Sequence, residues 1–336
     1  MTVTDPVEPT DAALAAPTTP SHGAGLSRHR PVGRARPAAA RRRRGVAVLV
    51  GALVLAAGAV ALATTSSGAD VGPSGVAMPT GDGDGWRRVF SEDFTVTTPT
   101  GGFEADYGKR FSVYHGFADT AGTGRYSASA LTAHDGVLDM RLRTTASGTP
   151  LAGGVVPLVD GRWGGQTAGR YSIRMRSDEV DGYGVAVLLW SDDNVWEHGE
   201  VDFPEGALGA PAYLNVHCLS DPAQKCIQHD TGVSLADWHT YTIEWTRERM
   251  SFLVDGTVVG TTTENIPTAR MHLVLQAGSN DGRPPRRADG SLQVDWMTID
   301  VPAAGAGPTA SLPADPAART LPSWVGDARP AHTTSG

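Results

Sequence analysis

Cysteine is scarce in this sequence of 336 residues, which contains only Cys218 and Cys226. Zinc clusters usually show closer spacing and more ligands than this pair offers. The sequence also lacks a P-loop, a dinucleotide-binding fingerprint, a Ser-His-Asp spacing, internal repeats at a fixed period and long segments with helical periodicity. These absences argue against propellers, solenoids and a parallel α/β fold.

The two ends of the chain contain few large apolar residues. Residues 1–45 are rich in Pro, Ala, Thr and Arg, and residues 302–336 are rich in Pro, Ala and Gly. Such segments bury too little surface to offset their ordering entropy. We therefore expect a disordered, basic, cytosolic N-terminal segment and a flexible C-terminal tail. Residues 65–84 are predicted as a linker, and residues 85–301 have the size of one all-β domain.

An export signal is predicted for residues 46–64. Four arginines, Arg41 to Arg44, precede the uninterrupted apolar run from Val46 to Ala63. A basic cluster followed by about eighteen apolar residues keeps its charges in the cytosol while the apolar part enters the bilayer. Cleavage at the A-x-A-like site near Ala63 would release the protein, whereas the long basic segment favours an uncleaved anchor with the C-terminal domain outside. We favour the anchor slightly.

Charge divides the chain in the same way. Residues 1–45 carry a net charge of +5, and because the whole chain carries −8, the remainder carries −13. An acidic ectodomain repels phosphate backbones, so we expect no nucleic-acid partner and favour a polysaccharide. Membrane contact is expected only through the N-terminal segment, and we expect a monomer. In an oxidising compartment Cys218 and Cys226 are predicted to form a small loop-closing disulfide, with a free-thiol pair as the alternative.

From Trp86 onward the pattern is one of short strands separated by Gly, Asp, Asn and Pro. In the run from His239 to Trp245, the residues Tyr241, Ile243 and Trp245 share one face, as expected for a half-buried strand. Asp255-Gly256 between two apolar runs predicts a type I′ hairpin. Many short strands at this spacing predict an all-β antiparallel sandwich or jelly roll with a concave substrate cleft.

Three carboxylates, Glu200, Asp202 and Glu205, occur on one predicted strand. In a regular strand Glu200 and Asp202 share a face and Glu205 points to the other. One bulge between Asp202 and Glu205 would bring all three to one face, and Pro204 is tolerated where a ladder is interrupted. We expect one carboxyl to be kept protonated as an acid and another ionised as a nucleophile, as glycosidic bond cleavage requires. The alternative is a solvated acidic strand edge.

The segment Gly199-Glu-Val-Asp-Phe-Pro-Glu205 resembles the bulged motif of glycoside hydrolase family 16, the jelly-roll β-glycanases. Further segments support the resemblance over nearly all of residues 86–301. These are Val89 to Phe94, Gly169 to Arg174, Asp237 to Trp245, Phe252 to Gly256 and Val294 to Trp296.

The resemblance implies Glu200 as nucleophile, Glu205 as general acid/base and Asp202 as the carboxylate that tunes the nucleophile. His217 resembles a family histidine near the acid/base, and Trp196 resembles the tryptophan ahead of the nucleophile.

Three further site predictions accompany these roles. Trp190 is predicted as a sugar-stacking platform like Trp196. Arg174 is predicted to reach the cleft, with a solvated strand face as the alternative. Catalysis would need no cofactor and no catalytic metal, and Asp295 and Glu92 resemble the region where some family members hold a structural Ca²⁺ through oxygen ligands.

The predicted function is a retaining endo-acting β-glycanase. By resemblance alone the substrate is β-1,3- or mixed-linkage β-glucan, with galactans second and transglycosylation as a side activity. A non-catalytic, lectin-like surface module on the same sandwich is the alternative, because fold does not fix function. A polysaccharide lyase would need cationic neutralisation of a uronate, which fits a charge of about −13 poorly.

Overall fold

The computed structural model of the chain describes residues 71–163, 165–280 and 284–304. The basic segment 1–45, the apolar segment 46–64 and the tail beyond residue 304 lie outside the described residues. The export signal, its cleavage and the tail therefore stay predictions. Within the described ranges, no helix is both long enough and apolar enough to cross a membrane.

The described residues form sixteen strands, one short α-helix and two 3₁₀ turns. The strands are β1 (Trp86–Glu92), β2 (Phe111–Val113), β3 (Arg125–Tyr126), β4 (Leu131–His134), β5 (Val137–Thr144), β6 (Pro150–Pro157), β7 (Gly169–Ser177), β8 (Tyr183–Ser191), β9 (Glu200–Ala207), β10 (Pro211–Cys218), β11 (Asp221–Ser234), β12 (His239–Trp245), β13 (Met250–Val254), β14 (Thr257–Thr262), β15 (Met271–Ser279) and β16 (Asp289–Pro302). The helix is α1 (Phe103–Tyr107), and the 3₁₀ turns are Ala128–Ala130 and Trp196–His198.

The strands pair in the order β11-β10-β9-β8-β15-β6-β5-β16-β7-β12-β13-β14, with β1 to β4 added at the sides. The short β5–β6 pairing joins two half-sheets that face a common core. One half contains β6, β8, β9, β10, β11 and β15, and the other contains β5, β7, β12, β13, β14 and β16. All pairings between the described strands are antiparallel except β3 with β6. The predicted all-β antiparallel sandwich is confirmed.

Aromatic side chains join the two halves across the core. Tyr241, Ile243 and Trp245 of β12 are almost fully buried, as their alternation predicts. Phe203 of β9 contacts Tyr241 with ring centroids 5.5 Å apart and Phe252 of β13 at 5.6 Å. Burying side chains of this size contributes about 2–3 kcal/mol each before entropy is counted. The strand that carries the three carboxylates is therefore fixed to the opposite half-sheet by its own Phe203.

The β13–β14 hairpin has the turn that its sequence predicts. Asp255 and Gly256 have φ angles of 48° and 78°. A type I′ turn requires positive φ at both central residues, and Asp-Gly supplies it at little steric cost.

The predicted linker 65–84 is described from Val71 onward, and this part packs on the half-sheet that contains β7 and β16. The backbone N–H of Ser74 donates to Asp295 Oδ2 at 3.2 Å. The indole N–H of Trp296 donates to the carbonyl oxygen of Val76 at 3.0 Å. These bonds attach residues before β1 to the last strand of the domain.

Candidate active site

A β-bulge lies in β9 between Asp202 and Glu205. On β8, Leu188 pairs with Asp202 and Ala186 pairs with Glu205, so two residues of β8 span three residues of β9. The other neighbour, β10, shows the same shift. The pairings with β8 and with β10 therefore both show one extra residue in β9, at Phe203-Pro204, as the spacing of the motif predicts.

The bulge brings the three carboxylates onto one face of β9. Val201 and Phe203 point into the core, where they are at most 1% exposed. Because neighbours in a strand alternate, Glu200 and Asp202 point the other way. The bulge returns Glu205 to their side, where it interacts electrostatically with both. We call this surface the site face.

Glu200 lies in a buried environment with two groups that favour its charge. The indole N–H of Trp196 donates to Glu200 Oε2, and His217 Nε2 lies 3.9 Å from the same oxygen. Desolvation by burial and then the charge of Asp202 nevertheless raise the pKa of Glu200 to about 8. The negative charge on this carboxylate is thus costly in the free protein.

His217 connects Asp202 to the β10–β11 loop. Its Nδ1 lies 2.6 Å from the carbonyl oxygen of Pro222, so Nδ1 carries a proton and donates it. Its Nε2 lies 3.2 Å from Asp202 Oδ2. Burial lowers the pKa of His217, but the bond to Asp202 and the charges of Glu200 and Asp202 outweigh it and raise this pKa to about 9. The raised pKa favours the imidazolium form of His217.

Glu205 has a different pair of donors. The amide of Asn215 donates to Glu205 Oε2, and Lys225 Nζ lies 3.1 Å from the same oxygen. Burial and the charge of Asp202 raise the pKa of Glu205, against the lowering effect of Lys225 and Asn215. Neither Lys225 nor Asn215 was singled out as a site residue from the sequence.

The pKa directions differ from the expected division between a protonated acid and an ionised nucleophile. Burial raises the pKa of both glutamates, so desolvation alone does not distinguish them. What distinguishes them is the cation beside each, an imidazolium near Glu200 and an ammonium at Glu205.

Glu200, Asp202 and His217 offer ligand atoms that all lie within 4.8 Å of one another, a distance compatible with a cation. Two contacts of these atoms compete with a metal. His217 Nε2 lies 3.2 Å from Asp202 Oδ2, and the Trp196 indole N–H donates to Glu200 Oε2. A cation would have to displace these donors, so we interpret the closeness as charge coupling.

Trp190 and Trp196 flank the carboxylates. Trp190 pairs directly with Glu200 across β8 and β9, and its indole N–H donates to Asn194 Oδ1 at 3.0 Å. It packs against a small apolar cluster that is separate from the main core. That cluster consists of Val156, Leu188 and Val274, with Tyr114 and Ala186 against it. The site face therefore has an apolar surface beside the three carboxylates, as expected where sugar rings stack.

Further along the same face is a histidine that the sequence did not mark. His272 pairs with Trp190 across β15 and β8, and its Nδ1 lies 2.9 Å from Asp192 Oδ1. Trp163, which is 46% exposed, lies against its ring with centroids 4.7 Å apart. The alternation of His272 with the core residues Met271 and Leu273 was the available signal, because it directs the histidine to the site face.

The structure does not bring Arg174 to the carboxylates, and the prediction that it reaches the cleft is corrected here. Arg174 is on β7, in the other half-sheet, and its neighbours Ile173 and Met175 point into the core. Its guanidinium therefore points away from the core on the opposite side of the sandwich. There it is buried and bonds Asp255 Oδ1 at 3.1 Å and Ser74 Oγ at 3.1 Å.

Glu92 and Asp295, the residues predicted near a structural Ca²⁺, both accept hydrogen bonds from N–H groups. Both oxygens of Glu92 are engaged by N–H donors, from Arg110 and from the backbone of Asp93 and Phe94. Asp295 Oδ2 accepts the backbone N–H of Ser74. A structural Ca²⁺ at these carboxylates stays a prediction.

Cys218 and Cys226 are joined by a disulfide, with Cα atoms 5.0 Å apart. The bridge closes the loop between β10 and β11, next to His217 and Lys225.

Comparison with known proteins supports the sequence resemblance. Residues 165–298 match the family model for glycosyl hydrolases family 16. No curated protein matches the sequence.

Several solved structures share the fold. An endo-1,3-beta-glucanase from Streptomyces sioyaensis is 21% identical with a TM-score of 0.54, covering 66% of this chain and 99% of that chain. A laminarinase from Flavobacterium sp. is 13% identical with a TM-score of 0.53, covering 63% and 99%. The catalytic domain of an endo-1,3-beta-glucanase from Thermotoga petrophila is 15% identical with a TM-score of 0.52, covering 65% and 98%. At these identities the likeness establishes the fold.

Proposed function

Because residues 165–298 match glycosyl hydrolases family 16, we propose that this chain is a retaining endo-β-glycanase that cleaves β-1,3- or mixed-linkage β-glucan. The observation that carries the proposal is the bulge in β9, which presents Glu200, Asp202 and Glu205 on one face beside Trp190 and Trp196. The similar solved structures include glucanases that act on β-1,3 linkages, which supports this substrate class.

In the proposed reaction Glu200 attacks the anomeric carbon while Glu205 protonates the leaving glycosidic oxygen. Water then hydrolyses the glycosyl-enzyme bond, with Glu205 now taking the proton from water. The Trp196 indole N–H and the His217 imidazolium stabilise the ionised form of Glu200, which the first step needs. Asp202 holds His217 in its charged form and so acts on Glu200 through it.

The raised pKa of Glu200 affects how kcat/KM depends on pH. Because burial and Asp202 raise the pKa of Glu200 to about 8, the nucleophile ionises above the ordinary glutamate range in the free protein. The ascending limb of kcat/KM therefore belongs to the coupled set of Glu200, Asp202 and His217.

Reducing-sugar release tests the proposal. Laminarin, lichenan, agarose and xyloglucan are incubated with the protein and with its Glu200→Gln and Glu205→Gln variants. We expect release from laminarin or lichenan, and a loss of at least about 10³-fold in kcat for each variant. Glu248→Gln, in the exposed turn between β12 and β13, is the matched control and should keep full activity. Proton NMR of the first product should show the β-anomer.

Two results would count against this function. Glycan binding without any release would support the lectin-like module instead. Release of unsaturated products that absorb in the ultraviolet would indicate a lyase.

We also propose that the chain is exported, as a surface-anchored protein or as a secreted one after cleavage near Ala63. The basic and apolar segments support export, and so does the Cys218–Cys226 disulfide, because disulfides persist in oxidising compartments. Expression of the full chain in a bacterium, followed by separation of cytosol, membrane and medium, distinguishes the two forms. Recovery only from the cytosol would contradict export.

A further inference from the structure

Each of the two glutamates has a basic residue next to a cysteine of the disulfide beside it. Cys218 ends β10 and Cys226 lies in β11, and their disulfide closes the loop between them. His217, directly before Cys218, contacts Glu200 and Asp202. Lys225, directly before Cys226, contacts Glu205. His217 and Lys225 also pair with each other across β10 and β11.

Lys225 is the cation nearest to Glu205 in the described structure. Its Nζ lies 3.1 Å from Glu205 Oε2, and the side chains are 25% and 34% exposed. The ionisable groups around Glu205 are Glu200 and Asp202 on β9, Tyr213 and His217 on β10 and Lys225 on β11. The β8 residue opposite Glu205 is Ala186, which carries no charge. The two carboxylates on β9 oppose ionisation of Glu205, and Lys225 favours it.

We propose that Lys225 is a positioning residue for Glu205, and that the Cys218–Cys226 disulfide holds it in place. This inference rests on the proposed glycanase function only where it interprets the pH dependence of kcat/KM. The contact itself is independent of any substrate.

The contact between Lys225 and Glu205 would assist the proposed reaction. Glu205 gives its proton to the leaving oxygen and must then remain a carboxylate until it takes a proton from water. An ammonium on Oε2 stabilises that carboxylate and orients it. The contact also keeps the pKa of Glu205 from rising as far as burial and Asp202 would raise it.

Lys225→Met removes the charge and keeps much of the side-chain volume. An opposite charge at this distance shifts a carboxyl pKa by about 1–3 units, and partial exposure puts the effect at the low end, about one pH unit. We expect the alkaline limb of kcat/KM and the titration of the Glu205 carboxyl, followed by ¹³C NMR and assigned with Glu205→Gln, to move up by about one pH unit. Lys225→Arg should restore both, and Gln224→Met, on the exposed part of the same loop, should change neither.

Reduction tests the second half of the proposal. The chain has only two cysteines, so dithiothreitol acts on this bridge alone. The reduced wild-type protein should show the same upward shift of the Glu205 titration as Lys225→Met, and the reduced Lys225→Met variant should show little further shift. If Glu205 titrates in Lys225→Met as it does in the wild type, the positioning role is wrong. An unchanged titration on reduction would remove the disulfide from the proposal.

The two readouts separate this inference from the proposed function. A wild-type protein that cleaves no glycan would refute the glycanase, while the NMR titration would still report whether Lys225 acts on Glu205.

Discussion

Replacing Glu200 with glutamine should stabilise the folded protein, and the gain should grow as the pH rises. Burial and the charge of Asp202 raise the pKa of Glu200 from 4.5 to about 8. A group whose pKa is raised by folding contributes its stability in full below its unfolded pKa and loses it as pH rises through the folded pKa. The wild type is thus penalised progressively between about pH 4.5 and pH 8, whereas glutamine carries no charge at any of these pH values.

The size of the penalty follows from the two pKa values. For one independent group, linkage gives a cost of about 1 kcal/mol at pH 5 and about 4 kcal/mol at pH 8. Glutamine also removes one of the charges that raise the pKa of His217, so part of the gain is lost through that neighbour. We therefore expect the stability difference between the variant and the wild type to grow by about 2–3 kcal/mol from pH 5 to pH 8.

Urea unfolding at pH 5 and pH 8 measures this difference. Glu248→Gln, in an exposed turn, corrects for the general effect of exchanging glutamate for glutamine. If Glu200→Gln gained no stability between pH 5 and pH 8 beyond that control, Glu200 would not be the desolvated carboxylate described above. A variant less stable than the wild type at pH 8 would show that the contact with Trp196 outweighs the cost of the buried charge.

Two further predictions concern stability away from the reaction. Reducing the Cys218–Cys226 disulfide should lower the free energy of unfolding by about 2–3 kcal/mol, because the reduced loop is freer in the unfolded chain, and urea unfolding with and without dithiothreitol measures the change. Arg174→Met should lower the free energy of unfolding by about 1–2 kcal/mol, because the hydrogen bonds of the buried guanidinium to Asp255 and Ser74 are lost, and should leave KM unchanged. A several-fold rise in KM would mean that Arg174 does reach the substrate.

Local sequence pattern was sufficient for the strands and for the bulge. Alternation places Tyr241, Ile243 and Trp245 in the core. Asp255 and Gly256 have the positive φ angles of the type I′ turn that this residue pair predicts. The spacing of Glu200, Asp202 and Glu205 required one extra residue if all three were to share a face. The register against both neighbouring strands shows that residue at the expected place.

Long-range placement could not be obtained in this way. Alternation indicates that Arg174 points away from the core, but a sandwich has two outer faces, and sequence does not tell which of them a strand presents. Lys225 was missed for a related reason. It reaches Glu205 across two strand pairings with irregular register, β9 with β10 and β10 with β11, and such shifts are not visible in composition or spacing.

The charges of the site depend on these long-range contacts as well as on burial. With Glu205 protonated, as the first step requires, Glu200 and Asp202 carry two negative charges when ionised, and His217 and Lys225 return two positive ones. Glycosidic bond cleavage passes through a transition state with positive charge on the sugar ring. As Glu205 gives up its proton, this preorganised and largely desolvated site gains negative charge beside the positive sugar ring, which favours that state over a neutral glycan in the ground state. Removing either cation would deepen the negative charge, but it would also raise the pKa of the neighbouring glutamate and favour protonation. His217 on β10 and Lys225 in the disulfide-closed loop therefore set how much of that negative charge is present when the substrate binds.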